Sequence, residues 1–520
     1  MESNYSSWVR TIQLPKSSLN DNRADVDRLI QALKDDLHIN AISLDLNLYR
    51  RVPDILRQHN YHIRCVVFGD HITCKVIDLC GHDSSWPCTG IAVDLGTSRI
   101  VMRLINLDTR DHLKEISFTN PQRKYGADIL TRLHYAEQEN GLEQLHGCLI
   151  EALNEGIQTL CQSQGLAIEH VYAFTLAGNT AMTHLFLCLN TRFIIREPYI
   201  PVVNVPELIK ASDIGIHIHP YGHIYVFPNV GSYFGGDLIA GILYSGLYQR
   251  EDPTFLVDVG TNAEVVLGNT MWMIACAGAA GPALEGGISK IGSMAGPGVI
   301  DQVKILRDTH TGLMDIVYHC IDDLPPIGIC GSGLIDLAAQ LFQAGLIDQR
   351  GKFRPDACGN RLIEEDGMFS FVLVSQHEHP TGQSLEISQA ELDSLIRSKA
   401  AMYTILETIS LNVGISLNEI SKFYIAGTFG AFIRPESAIT IGMIPDLDLS
   451  CYQAIGNSSL SGASLFLESF EYISQIQSIR DRITYMELNV NQEFMNRFSA
   501  AKFLPHTDPS IFPNVYIPKQ

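Results

Sequence analysis

Two patterns of apolar residues alternate along the chain. Short apolar runs that end in Gly, Asp or Asn predict buried strands, and apolar residues that recur every three or four positions predict amphipathic helices. Long helical patterns cover residues 127–161, 330–347 and 387–414, and the strand patterns HVYAFTLAG and SKFYIAG follow the first and the third of them. Strands and helices that alternate in this way predict layered α/β domains.

The first 80 residues show the same alternation on a smaller scale. The run VRTIQLP predicts a strand, and RADVDRLIQALKDDL and LYRRVPDILRQ predict helices. The runs YHIRCVVFG and HITCKVIDL predict a hairpin that turns at Gly69-Asp70. The stretch GHDSSWPCTG is rich in Gly, Ser and Pro and is typical of a linker. We therefore predict a small α/β domain over residues 1–88.

One phrase of the sequence occurs twice. The segment TGIAVDLGTSRIVMRLINLDT consists of an apolar strand, an Asp-x-Gly-Thr turn and a second strand, and TFLVDVGTNAEVVLGNTMWMIA repeats that order. Because the flanking strands repeat together with the turn, the pattern indicates a duplicated domain. The predicted halves are residues 89–250 and 251–520, the second with a C-terminal extension.

The composition narrows the class of protein. The chain has 520 residues, enough for about two to four domains, and 46% of them are hydrophobic. No apolar run approaches the roughly 18 residues that a membrane-spanning helix needs. The net charge of −20 opposes binding to nucleic-acid phosphates. The N-terminal sequence MESNYSSWVRTIQLPK lacks the basic-then-apolar order of a secretory signal, so we expect a cytoplasmic protein.

The repeated turns are suited to bind phosphate. A Gly-containing turn between two strands offers backbone N–H groups and hydroxyls to phosphate oxygens without a side-chain clash. The predicted phosphate-binding residues are Gly96, Thr97 and Ser98 in the first copy and Gly260, Thr261 and Asn262 in the second. Asp94 and Asp258 end the apolar strands, where they are predicted to hold Mg²⁺ through water and to act in catalysis. A single Asp-x-Gly-Thr could equally be a structural turn, whereas two in register favour a nucleotide site.

Three further glycine clusters could contribute to such a site. The segment VGSYFGGDLIAG places Gly235, Gly236 and Asp237 at a helix start, where they could face phosphate or form an ordinary first turn. Two other clusters could approach an adenosine, or could instead be helix caps or points of close packing. Their residues are Gly331, Ser332 and Gly333 in CGSG, and Gly427, Thr428, Phe429 and Gly430 in AGTFGAF.

Two glutamates lie near the second turn. Glu264 follows Asp258 on the next strand, and Glu285 is the carboxylate within the glycine-rich run CAGAAGPALEGGISKIGSMAGPGVI. Either could assist hydrolysis, although a structural role, as a strand residue or a local cap, is the plainer interpretation. Among the eighteen histidines no Ser-His-Asp set stands out, and no pair at His-x-x-x-His spacing lies in a helical pattern, so triad and zinc catalysis have no support.

The twelve cysteines are scattered, mostly within apolar runs. Cys65, Cys74, Cys80 and Cys88 are closest together, and four thiolates can hold zinc or an iron–sulfur centre. None of them forms the Cys-x-x-Cys pair with which one tight turn presents two sulfurs. We therefore expect neither a disulfide framework nor an iron–sulfur cluster in this chain.

At these motifs the chain resembles the ATP-dependent reductive activators of corrinoid proteins, a branch of the actin/DnaK-chaperone/sugar-kinase superfamily. The resemblance begins at SLNDNRADVDRL and continues almost without a break to residue 432. It is carried by YGADILTR, GNTAMTHL, FPNVGSYFGGD, DVGTNAEVVLGN, GPALEGGISK, CGSGLID and AGTFGAFI. It implies two actin-like ATPase halves of the ribonuclease H-like kind, behind a small N-terminal α/β domain.

The resemblance also implies an activity. Such activators use ATP and Mg²⁺ to return an inactive cob(II)alamin protein of a methyltransferase system to the cob(I)alamin state, and they dimerise through the N-terminal α/β unit. Typical members begin with a ferredoxin-like iron–sulfur domain that this sequence lacks, so a separate ferredoxin-like donor is expected to supply the electron. Two alternatives stay open at this point, a small-molecule kinase and an ATP-dependent switch or chaperone without redox chemistry.

Overall fold

The structure is a computed structural model that describes residues 7–70, 72–232, 234–260, 263–278, 289–307, 314–379, 382–427, 433–486 and 492–518. Its contacts divide the chain into two units, Met1–Tyr244 with Ser458–Arg482, and Ser245–Asn457 with Ile483–Gln520. The chain thus returns to the first unit near its C-terminus, a crossing that the sequence pattern does not indicate. The predicted boundaries near residues 88 and 250 stay predictions.

The strands within the described residues are β1 Val9–Gln13, β2 Ile42–Leu44, β3 His62–Gly69, β4 Cys74–Gly81, β5 Thr89–Leu95, β6 Arg99–Asn106, β7 His112–Thr119, β8 Val171–Gly178, β9 Ile209–Lys210, β10 His223–Val226, β11 Thr254–Val259, β12 Ala263–Gly268, β13 Met273–Gly278, β14 Val299–Arg307, β15 Met314–Cys320, β16 Gly328–Ile329, β17 Leu362–Glu365, β18 Met368–Val374, β19 Leu385–Ser388, β20 Lys422–Ala426, β21 Tyr452–Gly456 and β22 Ile483–Tyr485.

The α-helices of the same part of the chain are α1 Asp25–Leu37, α2 Leu46–Gln58, α3 Ile129–Ala136, α4 Gly141–Ser163, α5 Thr180–Phe186, α6 Gly236–Ser245, α7 Gly331–Gln343, α8 Pro355–Cys358, α9 Gln389–Asn412, α10 Pro435–Thr440, α11 Ser458–Glu468, α12 Tyr472–Arg482 and α13 Gln492–Ala501. Among the helices of the described residues, none is both long enough and apolar enough to cross a membrane.

The N-terminal part of the first unit is a four-stranded sheet in the order β1-β3-β4-β2. Strands β3 and β4 form the antiparallel hairpin that the sequence predicts. Asp70 closes its turn, because its carboxylate accepts hydrogen bonds from the backbone N–H groups of Ile72 and Thr73 at 2.7 and 2.9 Å. Helices α1 and α2 pack on this sheet, and the predicted small α/β fold of this region is therefore present.

Two six-stranded sheets carry the repeated segments, one in each unit. Their orders are β7-β6-β5-β8-β10-β9 and β21-β20-β11-β12-β13-β22. In the first sheet β5 is antiparallel to β6 and parallel to β8, and in the second β11 is antiparallel to β12 and parallel to β20. The two copies of the Asp-x-Gly-Thr segment therefore occupy the same place in equivalent sheets, as a duplicated domain requires.

Helix α11 belongs to the first unit although it lies far along the chain. Its Phe466 stacks on Tyr225 with ring centroids 3.9 Å apart, and its carbonyl oxygen accepts a hydrogen bond of 2.8 Å from the indole N–H of Trp8. A Cβ at Gly462 would lie 2.0 Å from the carbonyl oxygen of Ala240, so this position needs glycine for close packing. The apolar face of α11 thus forms part of the first core.

The long helix α9 organises the core of the second unit. It begins with a capping box, in which the side chains of Ser388 and Glu391 bond reciprocally to backbone N–H groups. Near its middle, the fully buried Lys399 ammonium donates hydrogen bonds to the carbonyl oxygens of Phe503 and Pro505 at 2.6 and 2.7 Å. Burial lowers the pKa of Lys399 well below its ordinary value. This contact fixes the C-terminal segment against the helix.

Candidate functional site

The buried residue Asn120 makes hydrogen bonds to the first Asp-x-Gly-Thr turn. A Cβ at Gly96 would lie 2.4 Å from the carbonyl oxygen of Arg99, so only glycine fits this turn. The Asn120 amide donates to the carbonyl oxygen of Gly96 at 2.9 Å, and its backbone N–H donates to that of Ser98 at 3.0 Å. These bonds use the carbonyl oxygens of the turn rather than its N–H groups, which are the groups that bind phosphate.

Asn179 connects this turn to a helix start. Its side-chain oxygen caps α5 by accepting a hydrogen bond of 2.9 Å from the backbone N–H of Met182. Its side-chain nitrogen donates to the Thr97 hydroxyl at 3.2 Å. Asn179 lies in GNTAMTHL, one of the segments that carry the resemblance, but it was not among the predicted site residues. The phrase Ala-Gly-Asn after strand β8, which matches Ala-Gly-Thr after β20, was the available signal that it belongs to the site.

Asp94 lies at the end of β5, half-buried, and receives a hydrogen bond from a distant part of the chain. The Ser459 hydroxyl of α11 donates to its Oδ1 at 2.8 Å. This bond orients a carboxylate that was predicted to act on Mg²⁺. No local sequence pattern indicates Ser459, because the two residues are 365 positions apart.

Replacement of Ser459 by alanine is expected to lower ATP turnover by about 10-fold, because a hydrogen bond to a charged group contributes roughly 1.5 kcal/mol or more. Steady-state phosphate release measures the effect. The adjacent Ser458→Ala is the matched control, since the buried Ser458 hydroxyl has no hydrogen-bond partner among the described residues and its loss should leave turnover unchanged. Equal turnover in the two variants would contradict a positioning role for Ser459.

The predicted segment Gly235-Gly236-Asp237 lies against the first turn. A Cβ at Gly235 would lie 2.2 Å from Cα of Asn179, and one at Gly236 would lie 2.5 Å from Cβ of Phe227, so both glycines permit close packing. Asp237 is half-buried at the first turn of α6. Desolvation and the nearby Asp94 carboxylate raise the pKa of Asp237 to about 7. The structure thus brings two predicted carboxylates, Asp94 and Asp237, into one electrostatic environment.

The second turn follows β11 in the second unit. Asp258 is half-buried at the end of this strand, beside the end of β20. Gly427 directly follows β20 with a φ of +87°, and a Cβ there would lie 2.8 Å from Oδ1 of Asp258. Glycine is therefore required at this position both by the backbone conformation and by the carboxylate. Of the other predicted residues, Gly260 is described, whereas Thr261, Asn262, Thr428, Phe429 and Gly430 lie outside the described residues.

The CGSG cluster forms the buried start of α7. A Cβ at Gly333 would lie 2.6 Å from the carbonyl oxygen of Ile300, so this glycine is explained by close packing of helix against strand. The Cys330 sulfur and the Ser332 hydroxyl are 3.0 Å apart, and Ser332 is buried. The assignment of Gly331, Ser332 and Gly333 to an adenosine stays a prediction.

The two glutamates considered near the second turn differ in what the structure describes. Glu264 lies on β12 directly opposite Asp258 of β11. Glu285 lies outside the described residues. This strand register places Glu264 next to the predicted catalytic Asp258, which the sequence alone could not establish.

All twelve cysteines lie in the described residues, and none is bonded to another. Within those residues, no group of three or more His, Cys, Asp or Glu side chains is arranged to hold a metal ion. Desolvation raises the pKa of Cys65, Cys74 and Cys88. Raised thiol pKa values oppose the thiolate form that a metal centre binds.

We expect the purified chain to be colourless and to contain no more than trace iron, because its thiols are dispersed and stabilised in the protonated form. The visible absorption spectrum, together with iron and sulfide analysis of anaerobically purified protein, checks this. For comparison, the same spectrum and the same iron and sulfide analysis are taken of protein that is purified in air and then subjected to iron–sulfur cluster reconstitution. A brown protein with stoichiometric iron and sulfide would contradict the expectation.

Comparison with known proteins gives matches along nearly the whole chain. Residues 2–85 match the family described as the RACo linker region, residues 89–250 the RACo middle region, and residues 252–516 the C-terminal domain of RACo, the ASKHA domain. The structure is similar to that of a reductive activator for corrinoid, iron-sulfur protein, with 35% identity and a TM-score of 0.86. This likeness covers 99% of the present chain and 82% of the other.

Two curated proteins are similar in sequence. The corrinoid activation enzyme RamQ of Eubacterium limosum is 31% identical over 433 residues, which are 82% of this chain and 72% of that protein. The [Co(II) methylated amine-specific corrinoid protein] reductase of Methanosarcina barkeri is 27% identical over 435 residues, which are 78% of this chain and 75% of that protein.

Proposed function

Because the chain belongs to the RACo family of corrinoid-protein activators, we propose that it uses ATP to return an inactive cob(II)alamin protein of a methyltransferase system to the cob(I)alamin state. The observation that carries the proposal is the likeness of 99% of the chain to a reductive activator at a TM-score of 0.86. The two Asp-x-Gly-Thr turns at equivalent places in two equivalent sheets support the ATP-dependent part. The two turns contain the residues that are predicted to bind phosphate and Mg²⁺.

The residues present fit ATP with Mg²⁺. At Gly96 a Cβ would collide with the carbonyl oxygen of Arg99, and at Gly427 it would collide with Oδ1 of Asp258, so both positions need glycine for the close backbone approach beside the predicted aspartates. Aspartate oxygens are the hard ligands that Mg²⁺ prefers, and it commonly keeps water in its shell. We propose that Asp94 and Asp258 hold Mg²⁺ through water, and that bound Mg²⁺ neutralises phosphate charge.

The chain's own residues have distinct tasks in this proposal. The turn residues Gly96 to Ser98, Gly260 to Asn262, and the segment Gly235 to Asp237 bind phosphate, and the two clusters 331–333 and 427–430 receive the adenosine. Asn179 orients Thr97, and Ser459 orients Asp94. Asp237 is protonated over more of the neutral pH range than an ordinary aspartate, which reduces repulsion of a phosphate beside Asp94.

Electron supply and assembly are further parts of the proposal. The buried, dispersed thiols favour a separate ferredoxin-like donor over a cluster held by this chain. We also propose a homodimer that forms through the N-terminal sheet, in which β1 and β2 are the edge strands. Light scattering after size-exclusion chromatography measures the molar mass and so detects the dimer. Loss of the dimer after a charged residue is introduced on β1 or β2 would locate the interface.

A spectroscopic experiment tests the function. The protein is mixed anaerobically with an inactive cob(II)alamin protein, ATP and a low-potential reductant, and the cob(I)alamin band is followed in the visible spectrum. The band should appear with ATP and stay absent with ADP or without the activator. ADP formation that requires an added small-molecule acceptor, with transfer of the γ-phosphoryl group to that acceptor, would favour a kinase instead. Nucleotide-dependent partner binding without any change of the cobalt spectrum would favour a switch without redox chemistry.

A further inference from the structure

Asp258 and Glu264 stand side by side in one row of the second sheet. The row crosses four strands in the order Ala426, Asp258, Glu264 and Ala277. Residues directly opposite each other on neighbouring strands point to the same face, with Cβ atoms about 4.5–5.5 Å apart. The two carboxylates therefore lie on the same face of the sheet, and the residues on either side of them in the row are alanines.

The residues of this sheet face become more exposed to solvent at the row of Asp258 and Glu264. The preceding row on the same face consists of Tyr424, Leu256, Val266 and Ala275, and all four are buried. Asp258 and Glu264 are only half-buried. The pair thus lies where a packed layer ends, and the backbone of Gly427 lies close to the Asp258 carboxylate, since a Cβ there would be 2.8 Å from Oδ1.

The first sheet has the same row with one difference. There, Ala177, Asp94, Val101 and Ser117 occupy the corresponding strands. Alanine and aspartate are kept at the matching places, but valine stands where the second sheet has Glu264. Because the scaffold is duplicated and the second carboxylate is not, the two turns are suited to different tasks.

We propose that Glu264 is a catalytic residue that holds the attacking water and accepts its proton during ATP hydrolysis. This rests on the proposed function of the site. The water oxygen forms a bond to the γ-phosphorus while the bond from that phosphorus to the β–γ bridging oxygen breaks. The bridging oxygen leaves with ADP, and the water proton passes to Glu264 and then to solvent. The first turn, which has Val101 at this position, contributes to phosphate and Mg²⁺ binding but supplies no proton acceptor of this kind.

The variant Glu264→Gln tests the assignment, since it keeps the size of the side chain and removes its ability to accept a proton. Single-turnover hydrolysis should slow by about 100-fold or more, as is typical for loss of a general base. The Kd of a fluorescent ATP analogue should stay within about 3-fold of the wild type. After rapid gel filtration, the variant should retain ATP where the wild type retains ADP.

Two further variants make the result specific. Glu264→Val introduces the residue that the first sheet has at this position and should lose hydrolysis to the same extent. Glu386→Gln changes another half-buried strand glutamate of the same unit and should behave as the wild type. Thermal unfolding of each variant reports whether the fold is intact.

Hydrolysis by the Glu264→Gln variant within about 3-fold of the wild type would overturn the assignment. So would a loss of ATP affinity equal to the loss of rate, because Glu264 would then act only in binding. The outcome is separable from the proposed function. If the wild type produces cob(I)alamin and Glu264→Gln hydrolyses ATP normally, only the role of Glu264 fails; if the wild type neither hydrolyses ATP nor changes the cobalt spectrum, the function fails.

Discussion

Replacement of Asp94 or of Asp258 by alanine is expected to lower ATP turnover by about 100-fold or more. Each aspartate is the penultimate residue of a strand that leads into its own glycine turn, and each supplies a carboxylate to the proposed Mg²⁺ and phosphate site. Loss of one such group removes charge stabilisation that is fixed in place before the reaction, an effect that typically amounts to roughly 3–4 kcal/mol. Steady-state phosphate release at saturating ATP and Mg²⁺ measures it.

The two substitutions should disturb different local contacts. Asp94→Ala leaves the Ser459 hydroxyl without its 2.8 Å acceptor, whereas Asp258→Ala leaves the Gly427 backbone next to an enlarged space. Asp448→Ala is a suitable control, because Asp448 is an exposed turn residue that accepts hydrogen bonds from Ser450. Near-normal turnover in both site variants, with an unchanged control, would remove these aspartates from the active site.

The sequence could predict the parts of the site that depend on local pattern. Asp94 and Asp258 were predicted because strand, turn and strand repeat around them, and the structure places them in equivalent sheets. The predicted α/β class is also confirmed. It could be predicted because the periodicity of apolar residues indicates which residues are buried, and so which segments are strands and which are helices. Gly235 and Gly236 were predicted at a helix start, and their packing against Asn179 and Phe227 explains why that start has no side chains.

The parts that escaped prediction depend on long-range packing. Ser459 reaches Asp94 only because α11 returns to the first unit, where Phe466 of the same helix contacts Trp8 and Tyr225 at distant positions in the chain. The pairing of Glu264 with Asp258 depends on strand register, because a shift of one residue would turn Glu264 to the other face. Neither a helix return nor a register leaves a signal in a single local pattern.

Replacement of Gly427 by alanine is expected to reduce ATP turnover by about 100-fold. At its φ of +87° any side chain is strained by roughly 1–2 kcal/mol. The added Cβ would also lie 2.8 Å from Oδ1 of Asp258 and 2.7 Å from the carbonyl oxygen of Val259. The carboxylate or the strand end must therefore move, and a displacement of about 1 Å in an active site can cost about 100-fold in rate. Turnover and thermal unfolding are measured together.

Gly456→Ala separates the two causes. Gly456 also has a positive φ, +63°, but within the described part of the chain nothing lies within 4 Å of a Cβ built there. It ends β21, next to the end of β20 that precedes Gly427, so both substitutions affect neighbouring strands of one sheet. The control should lose stability through backbone strain and keep its turnover, whereas Gly427→Ala should lose both. If the two variants lost the same stability and both kept wild-type turnover, the contact between Gly427 and Asp258 would have no part in catalysis.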